Sequence, residues 1–348
     1  MTHDFTVSID AMGGDAGPGI VVAALTQSIL RHPRIGYLLH GDEAALKPLL
    51  QKNPKLAKHV EIRHAAERVR MEEKPSIALR RGRNTSMWRA IESVSKKEAE
   101  VAISAGNTGA LMAMSMYQLG VIKGIERPAI AALFPTMRGQ SVLLDVGANV
   151  GSDAEQLVDF AVMGAAFARA ILGLERPSLG LLNVGSEDMK GNDAVRGAAQ
   201  ILRKVQLPIE FVGFVEGDNI AEGKADVIVT DGFTGNVALK TAEGTAKLVV
   251  EYLRSSLKRS FLGRLGGFIA GGALQVFKRK LDPRGSNGGI FLGLNGVVVK
   301  SHGGTDALGF AGGLDMAISM AKAGIITRIV ADRAIVTPVA TPVEAATL

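Results

Sequence analysis

"FTVSIDAMGGDAGPGIVVAALTQSILR" spans residues 5–31. Phe5–Asp10 reads as a short buried strand, and Gly19–Arg31 reads as a helix. Between them lie Asp10, Asp15, Pro18 and a run of glycines. A strand that breaks into such a loop and resumes as a helix is the unit of a helix-covered parallel sheet. The same order recurs along the chain. Further strands are expected at 35–40, 60–63, 101–104, 130–134, 142–145, 179–184, 209–212, 227–230 and 297–300. Helices are expected at 86–97, 108–119, 154–172, 193–205, 235–257 and 305–323. The fold class is therefore α/β, with a mostly parallel sheet covered on both faces. Residues 1–335 read as a single domain, and 336–348 as a flexible tail.

Composition agrees. Of 348 residues, 47% are hydrophobic and only 5% aromatic, with 42 glycines. A core built from Ala, Val, Ile, Leu and Gly suits helices packed on a parallel sheet. Cysteine is absent, which excludes disulfides, thiolate metal sites and a cysteinyl acyl-enzyme. The net charge of +6 favours acidic partners or anionic surfaces. No signal peptide and no membrane-spanning apolar run is present.

Five more loops resemble the first: 104–111 (SAGNTGAL), 145–153 (DVGANVGSD), 183–193 (NVGSEDMKGND), 230–241 (TDGFTGNVALKT) and 300–310 (KSHGGTDALGF). In a parallel sheet such loops are expected to gather at the carboxyl ends of the strands, where ligands bind. Their free backbone N–H groups at helix starts attract anions. The dinucleotide fingerprint G-x-G-x-x-G, the G-x-x-x-x-G-K-[ST] loop, H-E-x-x-H and G-x-S-x-G are all missing. No metal and no cofactor is expected. A site for phosphate or another small anion remains.

Its candidate residues are Asp10, Gly13, Gly14, Asn107, Thr108 and His302 for phosphate or substrate, and Lys190 and Asn236 for catalysis. Lys190 is a compact cation suited to free phosphate, or else a solvated lysine beside Glu187 and Asp188. Asn236 is either a helix cap or a donor to a developing oxyanion. His302 is either a structural histidine or part of the site. Asp10 and Asp15 read as organisers that orient neighbouring groups, with a plain turn cap as the alternative for Asp10. Gly13 and Gly14 would let the backbone approach the ligand.

Taken in order, "IDAMGGDAGP", "SAGNTGALM", "NVGSEDMKGND" and "TDGFTGNVALK" resemble the bacterial phosphate acyltransferases of phospholipid synthesis, the PlsX family. The resemblance runs from about Ser8 to Phe310. It implies a three-layer α/β/α fold like that of isopropylmalate dehydrogenases and phosphotransacetylases, and a homodimer. It also implies transfer of a long-chain fatty acyl group from acyl carrier protein to orthophosphate. A membrane glycerol-3-phosphate acyltransferase would consume the acyl phosphate. Lys190 would then hold phosphate and Asn236 would stabilise the tetrahedral oxyanion. The rival within the same chemistry is a phosphotransacetylase-like enzyme using acyl-coenzyme A.

Arg254–Lys280 breaks the pattern. It carries Arg254, Lys258, Arg259, Arg264, Lys278, Arg279 and Lys280 and no acid. It reads as a glycine-broken helix pair protruding at about 250–282. Packing on a second subunit would explain it. So would Phe261, Leu262, Leu265, Phe268 and Ile269 meeting an anionic membrane surface from the cytoplasmic side. The arginines and Trp88 of "RRGRNTSMWR" (80–89) raise nucleic acid as a partner. No interleaved aromatics continue them, so none is expected.

Overall fold

The computed structural model describes residues 3–281 and 288–336. All of the expected tail except Val336 lies outside them. The first half contains β1 (Phe5–Asp10), α1 (Pro18–Arg31), β2 (Ile35–Gly41), α2 (Glu43–Gln51), α3 (Pro54–Ala57), β3 (Val60–His64), α4 (Pro75–Arg81), α5 (Ser86–Ser95), β4 (Val101–Ser104) and α6 (Thr108–Leu119). Next come β5 (Ala129–Thr136), β6 (Gly139–Leu144), α7 (Ala154–Ile171), β7 (Ser178–Leu182), α8 (Asp193–Leu202), β8 (Glu210–Val215), α9 (Gly217–Glu222) and β9 (Val227–Val229). The chain continues through α10 (Gly232–Lys258), α11 (Phe261–Ile269), α12 (Gly271–Leu281), β10 (Gly289–Leu292), β11 (Val297–Lys300), α13 (Ala307–Ala323) and α14 (Ile325–Ile335).

The strands form one sheet in the order β3-β2-β1-β4-β11-β10-β5-β6-β9-β7-β8. Successive residues alternate between two cores, as the pleat requires. Val101, Ile103, Val297 and Val299 face the core under α1, α7, α8, α13 and α14, while Ala102 and Val298 face the core under α4, α5, α6 and α9. This is the three-layer α/β/α architecture, with a mostly parallel sheet buried on both sides.

Direction departs from expectation. β10 is antiparallel to β11 and to β5, and β5 is antiparallel to β6. The block β3-β2-β1-β4-β11 therefore runs opposite to the block β6-β9-β7-β8. The six glycine-rich loops do not gather on one edge. Those after β1, β4 and β11 lie at one end of the sheet, and those after β6, β7 and β9 lie at the other.

α10 links the two ends. It is 27 residues long, about 40 Å at 1.5 Å per residue. Its start packs on the far-edge loops, where only Gly232 and Gly235 are buried. Its polar face then carries Lys240 to the loop after β11. The segment expected to protrude comprises the end of α10 with α11 and α12. In α11 no residue is buried, and Phe268 is 85% exposed.

Candidate active site

At the first edge three loops interlock around Asp10. Its carboxylate accepts from the Ser104 hydroxyl at 2.6 Å and from Met12 N–H at 3.2 Å. Burial pushes its pKa up, and the Ser104 bond works against that. Gly13 is required here. A Cβ there would lie 2.6 Å from Asp10 Oδ2 and 2.7 Å from Gly106 N. Gly14, at φ +87, packs on the Gly303 carbonyl, and Asp15 N–H donates to that same carbonyl at 3.0 Å. Within the fold, these glycines let loop approach loop.

Asn107 is tied into the fold through its side chain. Its Oδ1 caps α6 through Ala110 N–H, and its Nδ2 donates to the carbonyls of Met71 at 2.7 Å and Glu73 at 2.9 Å. Both ends of the amide are taken up by the fold, and it staples the start of α6 to the 71–73 segment. Thr108 follows it as the first residue of α6 and is half-buried.

The sequence reading passed over Lys300. It ends the run "VVVK", is 9% exposed, and donates to the carbonyls of Ala105 and Ser301. Burial lowers its pKa to about 8, with Asp10 opposing the shift. Lys240 Nζ approaches His302 Nε2 at 3.3 Å, and Gly304 N–H approaches Nδ1 at 3.2 Å. Burial, then Lys240 and Lys300, lower the His302 pKa and favour the neutral ring.

Lys300 should be visible in the pH dependence of stability. Its ordinary pKa is 10.5 and its folded pKa about 8. Below pH 8 both states hold the proton and the fold bears the full burial penalty. Between these values only the folded state releases it, so stability rises with pH across that window. In Lys300→Met this titration is gone. Wild type should gain on the variant by up to about 3 kcal/mol as pH rises through the window. Melting curves that stay parallel across it would mean that Lys300 carries no buried charge.

At the opposite edge the chain wraps around Asp145. Its carboxylate accepts from the N–H groups of Ile130, Gly147, Ala148 and Asn149 and from Asn149 Nδ2, all within 3.1 Å. Burial again raises the pKa against those donors. The start of α10 presses on this loop, with Gly232 N–H donating to Asn149 O at 2.7 Å. Asp231 caps the helix by accepting from Thr234 N–H. Asn236 is therefore no cap. It lies within the helix, is exposed, and has its side chain beside Gly147, whose φ is +132.

Lys190 sits on a loop clasped by Asn183, whose Nδ2 donates to Lys190 O at 3.2 Å. Gly191, at φ +89, leaves the room this clasp needs. Asp188, a neighbour in sequence, pairs instead with Arg203. Among the described residues no carboxylate pairs with the Lys190 ammonium group. Gly191 and Asn192 line one groove together with Asp231, Thr234 and Val237. Neither Lys190 nor Asn236 lines it, and Asn236 shares its side of α10 with Lys240, one turn on, away from the groove-lining Thr234, Ala238 and Ala242. His302 meets the far side of α10 through Lys240, while Asp10, Gly13 and Gly14 lie behind it. Among the described residues no group of three His, Cys, Asp or Glu side chains could hold a metal ion.

A family model described as fatty acid synthesis protein matches residues 5–328. A phosphate acyltransferase of Parvibaculum lavamentivorans is 55% identical over 333 residues, 95% of this chain and 92% of that one. One of Sinorhizobium fredii is 53% identical over 330 residues, 94% of this chain and 95% of that one. Among solved structures, a EutD phosphotransacetylase from Staphylococcus aureus has a TM-score of 0.57 at 17% identity, covering 92% of this chain and 94% of that one. A 4-hydroxythreonine-4-phosphate dehydrogenase from Klebsiella pneumoniae has a TM-score of 0.53 at 14% identity, covering 92% and 98%. At those identities the structural likeness is one of fold.

Proposed function

We propose that this chain, which belongs to the bacterial phosphate acyltransferase family and transfers an acyl group to phosphate, takes that group from long-chain acyl carrier protein. What supports the reading is that the loop bearing Lys190, whose ammonium group no carboxylate among the described residues pairs, and the start of α10, which bears Asn236, follow the adjacent parallel strands β7 and β9 at one edge of the sheet. The Lys190 ammonium group holds the phosphate as a point charge. A phosphate oxygen attacks the thioester carbon, and Asn236 Nδ2 donates to the oxyanion that forms. The carbon–sulfur bond breaks, and the proton lost by hydrogen phosphate goes to the departing thiolate. A thiol with a pKa of about 8.5 leaves without strong acid assistance. No acyl-enzyme is required, which agrees with the absence of cysteine.

In this reading the acyl phosphate serves phospholipid synthesis and passes to a membrane glycerol-3-phosphate acyltransferase. The enzyme works as a homodimer in the cytoplasm and rests on the membrane surface through α11. Phe261, Leu262, Leu265, Phe268 and Ile269, all exposed, meet the headgroups beside basic residues. No helix among the described residues is long and apolar enough to cross a membrane.

Thiol release from palmitoyl-acyl carrier protein and from palmitoyl-coenzyme A, each with and without orthophosphate, tests the donor. Release should depend on phosphate, and kcat/KM should favour the carrier protein by roughly tenfold or more, falling with salt as charge-steered encounter does. Equal or better use of coenzyme A would assign the phosphotransacetylase-like activity instead.

A further inference from the structure

The segment between β3 and α5 crosses the edge of the sheet at which Asp10, Asn107 and His302 lie. The Asn107 amide anchors it at Met71 and Glu73. Met71 packs on Gly303, where a Cβ would lie 2.9 Å from Met71 Cε. His302, the residue before, meets Lys240, which shares its side of α10 with Asn236, one turn away. A run of direct contacts thus joins this segment to the Asn236 side of the candidate site. The segment carries Arg68, Arg70, Lys74, Arg80, Arg81 and Arg83, all exposed. None of the six forms an ion pair among the described residues. Arg68, Arg70 and Arg81 line a recess of about 500 Å³, together with Glu67, Glu72 and Glu73. Among these charges Met71 and Ile77 are 37% and 43% exposed.

We propose that this surface docks an acidic protein, the carrier of the acyl thioester, and so delivers the thioester to the Asn236 side of α10. Five of the six cations are arginines, whose planar guanidinium groups pair with carboxylates through two parallel hydrogen bonds. Apolar side chains framed by charge are the anatomy of a contact between proteins. The three glutamates of the recess would repel a uniform polyanion, whereas a folded protein can set apolar or basic groups over them. Nucleic acid would find no stacking platform, because Trp88 is only 7% exposed and Arg89 is paired with Glu92. A bilayer is met by a projecting apolar face, which α11 offers and this recess does not. The inference rests on the carrier-protein reading above and adds to it where the carrier sits.

Arg68→Glu with Arg81→Glu reverses charge at the recess, and Arg80→Glu with Arg83→Glu does so beside it. Lys52→Glu with Lys55→Glu makes the same change in net charge at exposed positions between α2 and β3. The readouts are kcat and KM for palmitoyl-acyl carrier protein, and KM for phosphate. Both surface pairs should raise KM for the carrier protein by roughly tenfold or more and flatten its dependence on salt. Their kcat and their KM for phosphate should stay within about twofold of wild type, since encounter and not chemistry is altered. The Lys52 and Lys55 variant should behave as wild type. Equal rises in KM in all three variants would mean that net charge alone acts. No rise in either surface pair would place the carrier elsewhere, and a fall in kcat at unchanged KM would make the segment a support of the site. Each of these overturns the assignment. So does an unchanged KM with lost sedimentation on anionic vesicles, or with a changed oligomeric state by ultracentrifugation, which would make the surface a membrane contact or a contact between copies of the chain. If wild type takes palmitoyl groups from coenzyme A and none from the carrier protein, the donor reading fails first and the docking surface falls with it.

Discussion

Gly235→Ala is expected to cost at least about 3 kcal/mol of stability, because the new methyl group overlaps backbone with no room to yield. A Cβ at this position would lie 1.9 Å from the Asp145 carbonyl oxygen and 3.0 Å from its carbon. Ordinarily alanine improves a helix over glycine by about 1 kcal/mol. Here that gain is outweighed, since α10 must move away from the 145–149 loop. The move breaks the bond from Gly232 N–H to Asn149 O and loosens the donors gathered on Asp145. It also carries Asn236 out of place, and a shift of about 1 Å near reacting groups is enough for a hundredfold loss of rate. Gly244→Ala supplies the contrast on the same helix, because a Cβ there meets nothing within 4 Å. That variant should be stabilised by about 0.5–1 kcal/mol. Melting temperatures and kcat of the two variants check the argument. A Gly235→Ala protein that melts and turns over like wild type would show that α10 is not seated on Asp145.

These packing demands explain which parts of the structure were legible in sequence. Strands β1, β4 and β11 fall where their short apolar runs and glycine-rich exits put them, because burial on both faces imposes that composition. Their direction was not legible. Periodicity has no sense along the chain, and the reversal depends on β10, whose "GIFL" follows a basic, glycine-broken stretch. The loops were therefore found correctly and grouped wrongly. Asn107 and Asn236 looked alike in sequence, each an asparagine near a helix start. One is buried with both ends bonded, and the other is exposed within the helix. Capping separates them, and Asp231 in "TDGF" was the sign that α10 starts before Asn236. Lys300 did leave a trace. A lysine that closes a run of three valines and precedes "SHGG" must end either in solvent or against carbonyls, and only the fold shows that it meets Ala105 and Ser301.

Asn236→Ala should lower kcat by about a hundredfold to a thousandfold, the usual loss when one oxyanion donor is removed. The amide strengthens its bond as charge develops on the carbonyl oxygen, so KM for the donor should change little. Stability separates this from a structural role. Asn236 is exposed, and capping is done by Asp231. Alanine is also the better helix former, by several tenths of a kcal/mol. The variant should therefore melt at or slightly above the wild-type temperature while nearly inactive. Asn236→Asp keeps the shape, removes the donor and adds a negative charge, so it should be at least as slow as the alanine variant. The glycine opposite belongs to the same argument. Gly147 puts no side chain against the amide, and a Cβ there would come within 3.7 Å of the Asn236 side chain. With Asn236 as the donor, space for the oxyanion would lie on the side that Asp145 holds rigid. If folded Asn236→Ala retains kcat within about threefold of wild type, Asn236 is not the oxyanion donor.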